Sequence, residues 1–581
     1  MNKISFGFFL LAILISCNNQ PEPTVQDTDN NRTWWKEAVI YQIYPRSFKD
    51  TDGDGVGDLR GIIEKLDYIQ SLGVDMVWLN PIYKSPNADN GYDISDYRAI
   101  MDEFGTMEDF DEMLKGMHER GIKFVMDVVV NHSSDEHEWF KQSRSSRDNP
   151  YRDYYHWWPA ENGKPPYRWS YFDAEGNAWQ YDSLTDAYYL HYFAEKQPDL
   201  KWENPKVRQE VYDIMKFWAD KGVDGFRLDA FQFVAKDTTF PKLPEGYEKD
   251  VKNVIKHYGM GPNLHDYLRE MNREVLSQYD VFAVSEGAGS TFEDAHNLVD
   301  AGRNELQMAY HFEGMSVGNS LEGYALSEFK EVYTRWDSAF AQEGWLSIFL
   351  ANHDVPRMVS KFGNDSPEFR APSSKMLNTF ILSMRGTPYC YYGDELGMTN
   401  ISFDSIGQYR DIAAINGYKK VASTGGDVEQ YLKELKFLSR DNGRTPMQWD
   451  GSENAGFTAG TPWLPVNPNY SQINVQAQES DPNSCLNYFR KMVRLRKDNP
   501  VLVYGGYELL LPEHEQVYAY TRTLGEGKML VLLNFSAEAV NIELPAGLQT
   551  GEVLINNYDA VEAAGQAVKL LPYQAVIYGL K

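Results

Sequence analysis

The 581-residue chain sets 56 Lys and Arg against 84 Asp and Glu, a formal charge of −28, and 42% of its residues are hydrophobic. That fraction supports a buried core and excludes a disordered chain, and the length holds one large domain beside a smaller one. The acidic balance repels phosphate backbones, which excludes a nucleic-acid partner and favours a neutral substrate, while 14% aromatic content suggests ring-stacking surfaces.

Residues 1–17 read as a targeting segment: Lys3 gives a positive start, residues 4–15 are an apolar stretch too short to span a bilayer, and Ser16 precedes Cys17. Leu14-Ile15-Ser16-Cys17 resembles a bacterial lipobox, which implies lipidation of Cys17 and a lipoprotein anchored in the cell envelope, periplasmic or surface-exposed. An ordinary cleaved signal peptide is the alternative. Residues 18–32 are polar, with Pro21 and Pro23, and read as a flexible linker. Cys390 and Cys485 then remain, too few for a disulfide framework and without metal spacing, so both are expected as buried free thiols.

From residue 33 onward, short apolar runs at 39–44, 76–79, 124–130, 225–228, 281–285, 306–311, 345–351 and 388–392 alternate with helical patterns. Leu59, Ile62, Ile63, Leu66, Ile69 and Leu72 share one helical face that Gly73 ends, and Asn204-Pro205 reads as a cap followed by proline at the first helical position. Eight strands with crossover helices predict an α/β fold, a (β/α)₈ TIM barrel over 33–131 and 199–500. Residues 132–198, rich in Trp, Tyr, Asp and Pro and far longer than an ordinary βα connection, are expected as an inserted lobe overhanging the barrel mouth. Beyond residue 500, alternating runs at 506–511, 517–523, 529–534, 540–544 and 575–579 predict a C-terminal antiparallel β-sandwich over 501–581, a structural cap.

Three of the apolar runs end on a carboxylate: Asp229, Glu286 and Asp354, with His132, Arg227 and His353 beside them. A charge where a buried strand surfaces is costly unless it is paired or used, and a TIM barrel uses the C-terminal ends of its strands. Paired carboxylates suit glycoside hydrolysis, one as nucleophile and one, kept protonated, as acid. Arg227 precedes Asp229 by two residues, so it faces the same side of the strand and is expected to hold Asp229 ionised, while nearness to Asp229 and partial burial are expected to raise Glu286.

Asp127-Val-Val-Val-Asn131-His132, Gly225-Phe-Arg227-Leu-Asp229-Ala230, Glu286 and Ala351-Asn-His353-Asp354-Val-Pro-Arg357 resemble, in order, the signature segments of the α-amylase-type enzymes, glycoside hydrolase family 13. Gln197-Pro198-Asp199-Leu200 and Arg440-Asp-Asn-Gly-Arg444-Thr-Pro-Met-Gln-Trp449 resemble segments of its α-glucosidase and oligo-1,6-glucosidase branch. The resemblance runs from Trp34 to the C-terminus. It implies a retaining enzyme with Asp229 as nucleophile, Glu286 as acid, and Asp354 gripping sugar hydroxyls with His132 and His353 as donors. In Asp89-Asn-Gly-Tyr92-Asp-Ile it implies a glucose site with Tyr92 as stacking platform, Asp89 and Arg444 closing the far side, and Phe193 along the wall. Ser285 and Lys201 stand where the family usually carries glycine and asparagine.

Asp50-Thr-Asp52-Gly-Asp54-Gly-Val56-Gly-Asp58 spaces carboxylates around glycines as a tight loop does around a hard cation, without the twelfth-position acid of an EF-hand. In the resembled branch the loop holds a structural Ca²⁺ with the Val56 carbonyl as one ligand; no organic cofactor is expected. Ala230, after the nucleophile, stands where valine accompanies α-1,6 and alanine or threonine α-1,4 cleavage. The expected activity is therefore exo-hydrolysis of terminal α-glucosidic bonds, α-1,4 preferred, in short malto-oligosaccharides or disaccharides. The alternatives are an oligo-1,6-glucosidase or a transglycosylating isomerase of trehalose or sucrose type. No feature of the chain speaks to oligomeric state.

Overall fold

Eight parallel strands form the centre of the computed structural model, which describes residues 32–173 and 176–580. They are β1 Ile40–Ile43, β2 Met76–Leu79, β3 Lys123–Val129, β4 Gly225–Asp229, β5 Phe282–Ser285, β6 Met308–Ala309, β7 Ser347–Ile348 and β8 Thr387–Tyr391. Each pairs in parallel with its neighbour in chain order, β8 returns to β1, and a bridge between Ala309 and Leu346 closes β6 on β7. The cylinder is a closed (β/α)₈ barrel whose strands are buried on both faces, which is why they read as continuous apolar runs.

β6 and β7 are shorter than their apolar runs. Single backbone bonds extend the pairing, Gln307 N to Ala283 O at 3.2 Å, Tyr310 N to Ser285 O at 3.0 Å and Thr387 N to Leu346 O at 3.0 Å, and then the chain turns away. Apolarity there reports packing in the core and not ladder pairing. The first helical face is likewise two helices, Leu59–Glu64 and Leu66–Ser71, broken at Lys65. Pro205–Asp220 is capped as its sequence implies, Asn204 accepting from Lys206 N.

The segment after β3 carries a three-stranded antiparallel sheet of Trp157–Pro159, Ala187–Leu190 and Trp179–Asp182. It leaves and returns side by side: His132 bridges Asp199, and Leu200 N donates to Asn131 O at 2.9 Å. After β8 the chain raises a helical hairpin, Ile412–Ser423 and Val428–Leu438, an excursion within the span expected to be barrel alone.

The C-terminal part is two antiparallel sheets. Five strands run in the order Gly506–Leu510, Val517–Leu524, Gly527–Asn534, Ala575–Leu580, Glu552–Asn556, and three in the order Val540–Glu543, Ala567–Leu570, Glu562–Ala564. Val517, Ala519, Leu530, Leu532 and Val576 face the second sheet, whereas the alternate Tyr518, Tyr520, Val531, Leu533 and Ile577 join the barrel's core. The strands Glu552–Asn556, Glu562–Ala564 and Ala567–Leu570 were not foreseen: the first two are edge strands that bury few side chains, and the third, central in its sheet, is only four residues long.

Trp34 and Trp35 pack on Phe282, the first residue of β5, with ring centroids 6.1 Å apart, so the chain reaches the barrel at the N-terminal ends of its strands. Cys390 and Cys485 are buried and unpaired. Among the described residues no helix is long and apolar enough to cross a membrane. Cys17 and linker residues 18–31 lie outside the described residues.

Candidate active site

Asp229 is the last residue of β4, Glu286 follows the last residue of β5, and Asp354 lies in the loop beyond β7, so all three meet at the C-terminal mouth of the barrel. Parallel register puts Arg227 of β4 opposite Asp127 of β3. Its guanidinium, 5.1 Å from the Trp78 ring, is nearly inaccessible and serves three carboxylates. Nη1 bonds Asp229 Oδ1 and lies 3.0 Å from Asp127 Oδ1, while Nη2 lies 2.6 Å from Glu286 Oε1. Two carboxylates gripped by the two amino groups of one planar fork are neighbours, and paired neighbouring carboxylates are what glycoside hydrolysis uses.

Ala230 follows Asp229 in left-handed conformation, φ 45° and ψ 24°, and this turn aims its amide at Glu286 Oε2, 2.8 Å away. A non-glycine residue in that region is strained, and such strain concentrates at functional sites. Ser285 is buried and donates from its hydroxyl to the Glu286 carbonyl at 3.3 Å, so it fits where the family usually has glycine.

The expectation that Arg227 holds Asp229 ionised is corrected. Burial first, then the Glu286 charge, pushes the Asp229 carboxyl well above the usual range, and Arg227 opposes this without reversing it. The reason is stoichiometric: Arg227 is divided among Asp127, Asp229 and Glu286. Burial also raises Asp127 to about 6, against the pull of Arg227. One cation shared by three carboxylates disfavours ionising all of them at once, a property of the group as a whole.

Asp354 behaves oppositely. Burial would raise it, but His353, Arg440 and Arg444 together hold it well below the usual carboxylate range. His353 is itself pushed down to about 3 by burial and is neutral, so the lowering belongs to the two guanidiniums, with Arg440 Nη1 at 3.0 Å and Arg444 Nη2 at 3.2 Å from Asp354 Oδ1. Gln42 Nε2 approaches His353 Nδ1 at 2.9 Å, which leaves the ring hydrogen on Nε2, 3.2 Å from Asp354 Oδ2. Tyr92 stacks on this ring at 5.3 Å and 7°, with its hydroxyl fixed by Asn80, Asp127 and His353, and it contributes to the pocket lining. His132, pushed down to about 3 by burial, touches Gln197 Nε2 at 3.1 Å, and Gln197 Nε2 donates to Asp89 Oδ2 at 3.1 Å.

These groups line one pocket of about 340 Å³ including its open mouth: Asp89, Tyr92, His132, Phe172, Phe193, Asp229, Ala230, Glu286, His353, Asp354 and Arg440. The size suits one sugar ring. Arg444 is not on this lining, contrary to expectation. It is buried behind it, donating from Nε to the His353 carbonyl at 2.8 Å, and Arg440 takes the exposed place, 3.7 Å from Asp89. Arg440 and Phe172 were missed as site residues; Arg440 opens the very segment that drew attention to Arg444. Lys201 pairs with Asp153 and is not on the pocket lining.

In the acidic loop, oxygens of Asp50, Asp52 and Asp58 lie within 4.8 Å of one another, and Asp54 stands outside this group. Asp50 also accepts from Asp52 N, Gly53 N and Gly55 N, Asp54 accepts from Val56 N at 2.7 Å, and Asp58 from Thr51 N and Gly61 N. None of the three grouped aspartates has an ion-pair partner among the described residues, and the all-oxygen donor set fits a hard cation.

Comparison with known proteins agrees with this geometry. The α-amylase catalytic-domain family matches residues 42–505 and the C-terminal domain family of the α-amylase SusG matches residues 517–577. The oligo-1,6-glucosidase of Parageobacillus thermoglucosidasius is 53% identical, over 95% of this chain and 99% of its own length. That of Bacillus cereus is 51% identical, over 95% and 100%. The crystal structure of the trehalulose synthase MutB superposes with a TM-score of 0.91 at 45% identity, covering 94% of this chain and 100% of that one.

Proposed function

The chain belongs to glycoside hydrolase family 13, the α-amylase family, within its α-glucosidase and oligo-1,6-glucosidase branch, and from this we propose a retaining exo-acting α-glucosidase of short malto-oligosaccharides and disaccharides. One observation carries the proposal: Arg227 holds Asp229 and Glu286 together at the mouth of a pocket whose far side is walled by Asp89 and Arg440. A walled pocket admits one terminal glucose, so hydrolysis releases single units.

In the proposed sequence, glucose enters over Tyr92. Glu286, in its acid form, delivers a proton to the glycosidic oxygen as the bond to the anomeric carbon breaks. The ionised Asp229 bonds to that carbon, forming a covalent ester. Water then enters, Glu286 takes its proton, and the hydroxide oxygen displaces Asp229, restoring both carboxyl groups and releasing glucose with its configuration retained. Asp354, kept ionised by Arg440 and Arg444, grips ring hydroxyls more tightly as the oxocarbenium-like state develops.

The α-1,4 preference rests on Ala230, a small side chain on the pocket lining beside Asp229. The similarity to oligo-1,6-glucosidases favours α-1,6 cleavage as the second reading. Incubation with maltose, isomaltose, sucrose and trehalose, with products identified and Asp229→Asn as control, tests both. Faster turnover of isomaltose than maltose would reject the Ala230 reading. Isomerised disaccharide in place of glucose would reject hydrolysis, and undiminished turnover by Asp229→Asn would reject the nucleophile.

Two further elements are part of the proposal. A Ca²⁺ ion held by Asp50, Asp52 and Asp58 is structural, since it neutralises three clustered carboxylates at a turn outside the sugar pocket. Lipidation at Cys17, with a cell-envelope location, is supported by the Leu14-Ile15-Ser16-Cys17 motif, and loss of metabolic fatty-acid labelling in a Cys17→Ser variant tests it.

A further inference from the structure

The hairpin after β8 buries few side chains of its own. Ala414 of Ile412–Ser423 and Leu435 of Val428–Leu438 sit in a small satellite cluster with Ile401, Phe403 and Leu464, and polar contacts join the hairpin to the pocket wall. Asp411, 2% exposed, caps the first of these helices by accepting from Ala413 N at 3.3 Å. The same Oδ1 accepts from Arg440 Nε at 3.0 Å and bonds Arg440 Nη2, with Arg444 Nη1 at 3.9 Å. Asn416, further along the helix, donates to the Phe172 carbonyl at 2.7 Å, and the Phe172 ring lies 4.8 Å from the Arg440 guanidinium.

Arg440 is a long side chain with many rotamers, and its planar fork is useful only when fixed. With Nε and Nη2 engaged by Asp411, Nη1 is left directed at Asp354. Asp411 itself does not line the pocket. We propose that Asp411 is a positioning residue of the glycosidase reaction, acting through Arg440 to hold the far wall of the sugar pocket and coupling that wall to the docked hairpin. This rests on the reading of Asp89 and Arg440 as that wall. Misplacing a substrate-holding group by about 1 Å costs about 100-fold in rate, which sets the expected effect.

The test is a double-mutant cycle on the full chain, measuring kcat/KM on maltose, the glucose inhibition constant and the thermal unfolding midpoint. Asp411→Asn keeps a good helix cap and removes the charge. It is expected to lower kcat/KM about 100-fold and to raise the glucose inhibition constant about 10-fold. In the Arg440→Ala background the same change is expected to cost less than about threefold, a non-additivity that a purely structural role would not produce. If Asp411→Asn stays within about threefold of the unsubstituted enzyme while Arg440→Ala falls, or if the two losses multiply, the positioning role is overturned and the wall stands. If Arg440→Ala itself is within about threefold, the wall and the proposal fail together. Should Asp411→Asn not fold, Asn416→Ala replaces it, with about 10-fold loss expected only when Arg440 is present, and multiplying losses again overturning the proposal.

Discussion

Arg227 Nη2 lies 2.6 Å from Glu286 Oε1, so the proposed acid leans on the same cation that bonds the proposed nucleophile. Replacing Arg227 with Met would leave Asp127, Asp229 and Glu286 crowded without a countercharge. Breaking a buried pair in this way costs about 3 to 5 kcal/mol. Urea unfolding at neutral pH should show a clear fall in midpoint with loss of activity; an unchanged midpoint would show that the cluster is balanced by some other group.

If Glu286 supplies the proton, its need depends on the leaving group. Glu286→Gln should lower kcat on maltose by about 10² to 10⁴-fold, and far less on an aryl α-glucoside whose phenolate departs unaided. Equal losses on both substrates would remove Glu286 from the acid role.

Asp89 is pushed up to about 7 by burial, against Arg440 and Arg444. Because its folded pKa lies above the unfolded value near 3.9, its contribution to stability is full below about pH 4 and is lost as pH rises through 7. Asp89→Asn should therefore gain on the unsubstituted protein between pH 4 and 7.5, by on the order of 4 kcal/mol at most. For Asp354, held low, the sign reverses: its contribution is present above about pH 4 and fades in acid. Melting curves of both Asn variants across this range check the two directions; parallel curves would refute them.

Chelation should lower the unfolding midpoint while leaving kcat unchanged well below it. A cation at 100 to 1,000 times its dissociation constant contributes about 3 to 4 kcal/mol. Asp50→Asn or Asp58→Asn should abolish the sensitivity. A chelator that stops turnover at low temperature in a protein still folded would contradict a structural role.

Ala230→Val should move the ratio of maltose to isomaltose turnover toward isomaltose, about 10-fold or more if one or two methyl groups decide the fit. It should also destabilise slightly, because a β-branched residue tolerates φ 45° poorly. Competition between the two disaccharides in one vessel reads the ratio directly.

Much of this site was legible before any coordinates. Asp229 and Glu286 stood out because each ends a buried run, and the barrel rule places such ends together. Asp127 carried the same signal in a less obvious position: a charge inside the apolar run 124–130 must find a partner, and that partner is Arg227. What stayed hidden depended on long side chains in loops. Arg440 and Arg444 are four residues apart in one irregular segment, and nothing local says which faces the sugar. That is decided by Asp411 and Phe172, distant in sequence and brought alongside by the fold. The division of Arg227 among three acids was equally invisible, since strand order sets it and not spacing along the chain.

Trp34 and Trp35 seat the incoming chain against the foot of the barrel, on Phe282 and Trp345. The sugar pocket opens at the opposite pole. The first described helix therefore joins the cylinder at its blind end, and the doorway on the far side is open to oligosaccharides arriving by diffusion.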